Sequence, residues 1–143
     1  NWKYKYSYAA SKILLQDAME KNKSLKYFID LHRDSMSHEI TTTQIENKSY
    51  AKVLFVIGKD HENYEQNLKM ATAINDYIKN INPKLTRGIS LKGGSGVNGI
   101  YNQDISPNAI LIELGGQYNN ITEINNTISI LSKAIHAYVK GEL

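Results

Sequence analysis

The sequence predicts an α/β domain: a mostly parallel sheet with helices on both faces. Three observations predict it. Short apolar runs rich in Val, Ile and Leu alternate with long segments whose apolar residues recur every three or four positions. Two of the runs end in Gly, at Gly58 and at Gly115-Gly116. At 143 residues the chain has the length of one domain, spanning residues 1–143, with a core of its own.

Each element has a local reason. Ser7 to Lys21 reads as a helix, with Ala10, Ile13, Leu14 and Ala18 on one face and no Gly or Pro inside. Leu25 to Leu31 reads as the first strand, apolar enough to be expected buried on both faces. Ser35 to Ser49 is polar and reads as a loop or an edge ribbon. Tyr50 to Ile57 reads as the second strand. Asn63 to Ile81 carries the strongest helical stripe, Tyr64, Leu68, Ala71, Ile74, Ile78 and Ile81, and Asn82-Pro83 stops it. Gly88 to Lys92 is a short strand, and Lys92 to Gly99 a mobile or tightly turning loop. Asn108 to Leu114 is a third buried strand. A last helix runs from Ile121 to Val139 with Ile121, Ile124, Ile128, Leu131 and Ile135 on its stripe; Asn120 and Glu123 form a capping box at its start.

Bulk properties narrow the function. Hydrophobic residues make up 41% and charged residues 22%, the balance of an ordinary water-soluble domain. The net charge of +3 comes from dispersed lysines, so nucleic acid is not an expected partner, while weak attraction to an acidic polymer such as a cell wall is compatible. With no cysteine, thiolate chemistry and disulfides are excluded, and a metal has to use His, Asp or Glu. No apolar run is long enough to span a bilayer. Asn1-Trp-Lys-Tyr-Lys-Tyr6 does not have the form of a basic-then-apolar leader, and the chain is expected to be a piece of an exported protein.

Two strand ends carry the candidate chemistry. Phe28-Ile-Asp-Leu-His-Arg-Asp-Ser35 runs from apolar residues into a polar cluster around His32. Glu113 interrupts Ile110-Leu-Ile-Glu-Leu114, where an ionised carboxylate is costly unless it is paired or sits at a strand end. If the strands are neighbours, His32 and Glu113 share the C-terminal rim of the sheet. A histidine ligand and a carboxylate base are half of a zinc hydrolase site, and a third ligand is not fixed by spacing. His38 is a further candidate, whereas His61 and His136 read as exposed helix residues. Gly94-Ser-Gly-Val-Asn-Gly99 matches a dinucleotide fingerprint in letters only, because no helix follows it. Ser35 lies near His32 but in no nucleophile elbow.

Several segments in order resemble one family: Tyr27-Phe-Ile-Asp-Leu-His-Arg-Asp-Ser35, Tyr50-Ala-Lys-Val-Leu-Phe-Val-Ile-Gly58, Asn63-Tyr-Glu-Gln-Asn67, Leu85-Thr-Arg-Gly-Ile89, Tyr101-Asn-Gln-Asp-Ile-Ser-Pro107 and Ile112-Glu-Leu-Gly-Gly116. The chain from about Tyr8 onward is similar to the stage II sporulation protein P family of cell-wall hydrolases. The resemblance implies an amidase-like (phosphorylase/hydrolase-like) fold lacking its N-terminal strand here, the C-terminal part of a catalytic domain. It implies a zinc-dependent N-acetylmuramoyl-L-alanine amidase that cuts peptidoglycan between the muramyl group and the first stem-peptide alanine during engulfment. It makes His32 a zinc (Zn2+) ligand, with the other ligands expected upstream of residue 1, and Glu113 the catalytic glutamate. Arg33, Arg87 and Asn119 become substrate-binding residues around the cleft. It further implies an extracytoplasmic, membrane-anchored protein whose partner is a lytic transglycosylase, stage II sporulation protein D. The rival expectation is a non-catalytic wall-binding or scaffold module with the same fold.

Overall fold

The computed structural model describes residues 6–143. Of the Asn1 to Tyr6 stretch read as no leader, all but Tyr6 lies outside the described residues. In chain order the elements are α1 (Ser7–Lys21), β1 (Phe28–Asp34), the single helical turn α2 (His38–Thr41), β2 (Thr42–Ile45), β3 (Lys48–Ala51), β4 (Val53–Gly58), α3 (Tyr64–Ile81), β5 (Thr86–Lys92), β6 (Ala109–Gly116) and α4 (Ile121–Lys140). Among the described residues no helix is long and apolar enough to cross a membrane.

The main sheet has the order β1-β6-β4-β5. Neighbours β1 and β6 run parallel, as do β4 and β5, but β4 and β6 are antiparallel. The sheet is therefore mixed, though mostly parallel. The reason lies in the connections. A helix, α3, returns the chain between β4 and β5, which lets them align parallel. Between β5 and β6 the chain carries only turns and one short 3-10 segment, so β6 enters from the other end.

One face of the sheet holds the core. Phe55 and Ile57 of β4, with Ile110, Ile112 and Leu114 of β6, pack against Met70, Ile74 and Ile78 of α3 and Ile124, Leu131 and Ala134 of α4. Of the stripe expected on α3, Ala71, Ile74 and Ile78 are buried, Tyr64 and Leu68 are partly buried against the core, and Ile81 at the end is exposed. On α4 the buried face is rotated from the expected one: Glu123, Ile124, Thr127, Leu131, Ala134 and Ala137 go inward, while Ile121 and Ile128 face water. The capping box at Asn120 and Glu123 is formed.

The opposite face is only partly covered, by α1 near the β1 edge. That helix buries none of its residues, and Ile13 and Leu14 are 67% and 71% exposed. It is held by polar contacts: Lys12 Nζ to Asp104 Oδ2 at 2.6 Å, and Asn102 Nδ2 to the Tyr8 carbonyl at 2.8 Å.

Two other expectations are corrected. β1 is an edge strand whose pleat puts Asp30, His32 and Asp34, half-buried, on the cleft face and Ile29 and Leu31, exposed, on the other face. The run from Tyr50 divides at Lys52: β3 pairs with β2 in a separate hairpin, and β4 starts afresh at Val53. The polar Ser35 to Ser49 stretch supplies α2 and that hairpin, the edge ribbon of the sequence reading.

Candidate active site

The pleat of β1 sends Asp30, His32 and Asp34 to the face away from α3 and α4, and all three are half-buried. On the neighbouring strand β6 the same face carries Leu111 and Glu113. His32 and Glu113 are register partners across the β1–β6 pair, so the topology brings the two residues side by side. A cleft of about 610 Å³ opens over them. Its floor is Leu54, Val56 and Leu111, and its polar groups include His32, Asp34, Arg87, Lys92 and Glu113.

His32 is tethered. Its Nε2 lies 2.8 Å from Asp30 Oδ1, and the Tyr8 ring stacks near it at 6.3 Å between centroids. The bond to Asp30 raises the histidine pKa above its ordinary value; burial opposes this and the charges of Asp30 and Glu113 add to it. Glu113 is shifted upward as well, chiefly by burial, with the nearby His32 charge opposing. Its Oε2 is shielded from water and has no hydrogen-bond partner among the described residues. A carboxyl in that state is suited to exchanging a proton with a bound molecule.

The other predicted site residues divide into two groups. Arg87 lines the cleft, with its NH1 2.7 Å from Asp34 Oδ2, and both side chains are largely covered. Arg33 instead donates from Nε to the Gly116 carbonyl at 2.8 Å and from NH2 to the carbonyls of Gly116 and Asn119. Asn119 is buried; its Oδ1 accepts from the Gly116 N–H at 2.7 Å, and its Nδ2 donates to Thr42 Oγ1 and Glu123 Oε2. In this arrangement Arg33 and Asn119 brace the turn between β6 and α4.

His38 does not fold back toward His32: its Nε2 meets the Glu123 carboxylate at 3.0 Å. Burial works against the Glu123 charge, but bonds from Asn119, the Asn120 N–H and His38 outweigh it and hold the carboxyl below its ordinary range. Both ring nitrogens of His61 are buried with no hydrogen-bond partner among the described residues, where exposure was expected. The glycine loop after β5 is a tight turn: the Gly94 N–H donates to Asp60 Oδ2 at 2.8 Å and the Asp60 N–H to the Gly99 carbonyl at 2.9 Å. The residues that sequence reasoning did not assign were Asp30 and Asp34. Their signal was present, since positions 30, 32 and 34 share one face of any strand.

Zinc can be tested against these donors. The cleft offers one imidazole, already bonded to Asp30, and carboxylates of which Asp34 is engaged by Arg87. Among the described residues there is no group of three or more His, Asp or Glu side chains able to hold a metal ion. The described residues therefore do not fit a complete zinc site.

Fold and site together define a class: a mixed α/β domain that carries a histidine–glutamate pair in an open cleft on one sheet face. The chain belongs to the stage II sporulation protein P family, whose family model matches residues 1–136. A curated relative, Stage II sporulation protein P of Bacillus subtilis (strain 168), is 44% identical over 121 residues. That match covers 85% of this chain but 30% of the relative, so the chain spans under a third of its length. No solved structure matches.

Proposed function

We propose that the intact protein is a peptidoglycan hydrolase acting in sporulation, an N-acetylmuramoyl-L-alanine amidase with Glu113 as its general base. The observation that carries this reading is the pairing of His32 with Glu113, whose partly buried carboxyl keeps one oxygen unpartnered. Glu113 takes a proton from the attacking water as its oxygen bonds to the amide carbonyl carbon. The C–N bond then breaks, and Glu113 returns the proton to the leaving amine. Asp30 holds the His32 ring, and the Arg87–Asp34 pair forms one wall. A role for zinc is part of the proposal, with His32 as one ligand and the remaining ligands from outside this chain. By the same family resemblance we propose an extracytoplasmic, membrane-anchored protein that works with stage II sporulation protein D, a lytic transglycosylase.

The test is release of free amino groups from purified peptidoglycan by the intact protein. Glu113→Gln is expected to abolish release, a loss of at least about a hundredfold, while retaining bound zinc. Normal turnover by that variant removes Glu113 from the mechanism. The incomplete donor set favours one second reading, a wall-binding module that does no chemistry. Chelator-sensitive release excludes it, and binding without any release establishes it.

A further inference from the structure

The glycine loop after β5 carries a reactive step that the proposed hydrolysis does not use. Asn98 is the one asparagine of the chain followed by glycine, in Asn98-Gly99; every other is followed by a residue with a side chain. An asparagine side-chain amide reacts with the backbone nitrogen of the next residue, and a side chain on that residue hinders the approach. Asn98 is exposed and Gly99 is buried. The Asn98 Oδ1 accepts from the N–H groups of Ile100 and Tyr101, each at 3.1 Å. Attack at Cγ places negative charge on that oxygen, and both donors already face it.

The fold holds this pair of residues in place. Gly99 has no substitute, because a Cβ built there overlaps the Asp60 carboxylate. A Cβ at Gly58 likewise overlaps the Gly99 carbonyl, which accepts the Asp60 N–H at 2.9 Å. The Asp60 carboxylate also accepts from the Gly94 N–H at 2.8 Å. Asp60 is therefore a latch that holds both ends of the loop. Lys92 and Tyr101 flank the loop, and both line the cleft. The Tyr101 ring meets Tyr8 edge-on at 5.5 Å, and Tyr8 stacks near His32.

We propose that Asn98 is a site of spontaneous deamidation, a slow covalent switch that releases the glycine loop from Asp60. The Gly99 nitrogen bonds to Asn98 Cγ, the Cγ–Nδ2 bond breaks, and Nδ2 leaves as ammonia with the Gly99 amide proton. Water then opens the resulting succinimide ring at either carbonyl and returns a proton to the Gly99 nitrogen. Breaking the ring bond to Cγ gives aspartate, whose carboxylate keeps the bonds from Ile100 and Tyr101. Breaking the ring bond to the main-chain carbonyl gives isoaspartate, which lengthens the backbone by a methylene. The buried Gly99 is packed between Asp60 and Gly58 with no room for that shift, so the latch opens. The switch is independent of the hydrolase reading.

The experiment ages the intact protein in warm, mildly alkaline buffer. Peptide mapping by mass spectrometry and labelling by protein isoaspartyl methyltransferase follow the products. Asn98 is expected to convert at least about tenfold faster than any other asparagine of this chain, and Asn98→Gln to remove the methyltransferase label from the loop. In the separated isoaspartate form, hydrogen exchange from Gly94 to Ile100 is expected to rise about tenfold or more. Asn98→Asp is expected to keep the protection of the unaged protein. Conversion of Asn98 no faster than the others, or a label on the loop that survives Asn98→Gln, overturns the site. Unchanged exchange in the isoaspartate form, or equal loosening in Asn98→Asp, overturns the switch.

Discussion

Glu113 and Glu123 are both carboxylates held out of water, and their surroundings push them in opposite directions. Burial raises the Glu113 pKa, so the folded protein holds that proton more tightly than the unfolded chain does. Its contribution to stability falls as pH rises from the ordinary carboxylate range through the raised value. Glu123 is lowered by its bonds to Asn119, Asn120 and His38 despite its burial. Its contribution is present above the ordinary carboxylate range and is lost as pH falls through the lowered value. Denaturant melts across the acid range are therefore expected to separate the two. Glu123→Gln weakens the protein most at neutral pH, by about 1–3 kcal/mol, and least in acid. Glu113→Gln is neutral or stabilising at neutral pH. A destabilised Glu113→Gln protein at neutral pH contradicts this account. Of the pair, Glu113 was legible in the sequence because a charge inside Ile110 to Leu114 is conspicuous. The partners of Glu123 were not, because Asn119 and His38 reach it only through the fold.

At the scale of the elements, α3 and α1 show what an apolar stripe does and does not imply. The α3 stripe faces β4 and β6 and is buried almost throughout, at Met70, Ala71, Ile74 and Ile78. The α1 stripe has the same periodicity in the sequence but none of its residues is buried, and Ile13 and Leu14 remain in water. A helix that buries no residue is held by side-chain contacts, here including the bonds of Lys12 and Asn102 and the contacts of the Tyr8 ring with His32 and Tyr101. The amides of Ser7 to Lys21 are expected to exchange with solvent at least about a hundredfold faster than those of α3, measured by hydrogen exchange. Equal protection of the two helices rules out this picture of α1. The same logic explains β1. Its composition promised a central strand, yet an apolar run does not say how many neighbours the strand has, and Ile29 and Leu31 are exposed at the edge.

For the whole molecule, the prediction concerns zinc. Three protein ligands are the minimum for a catalytic site, and the described residues do not assemble that number around any point. Elemental analysis is expected to find about one zinc per intact protein and well below that for residues 1–143 alone. His32→Ala in the intact protein lowers the content further. One zinc per chain in the isolated 143-residue segment means that the donors gather in a way the cleft does not show. The sequence by itself determined the three long helices, the boundaries of α1 and α4 to within a residue, and the two strands that carry His32 and Glu113, although both residues lie within β1 and β6 rather than at the strand ends expected. Periodicity, capping and strand pleat are properties of neighbouring residues, and they survive without any knowledge of the fold. Only the tertiary structure decided that β6 lies between β1 and β4, that β4 and β6 run antiparallel, and that Arg33 braces a turn while Arg87 lines the cleft. Those outcomes depend on which surfaces meet across long stretches of chain, a competition among packings that no local pattern encodes.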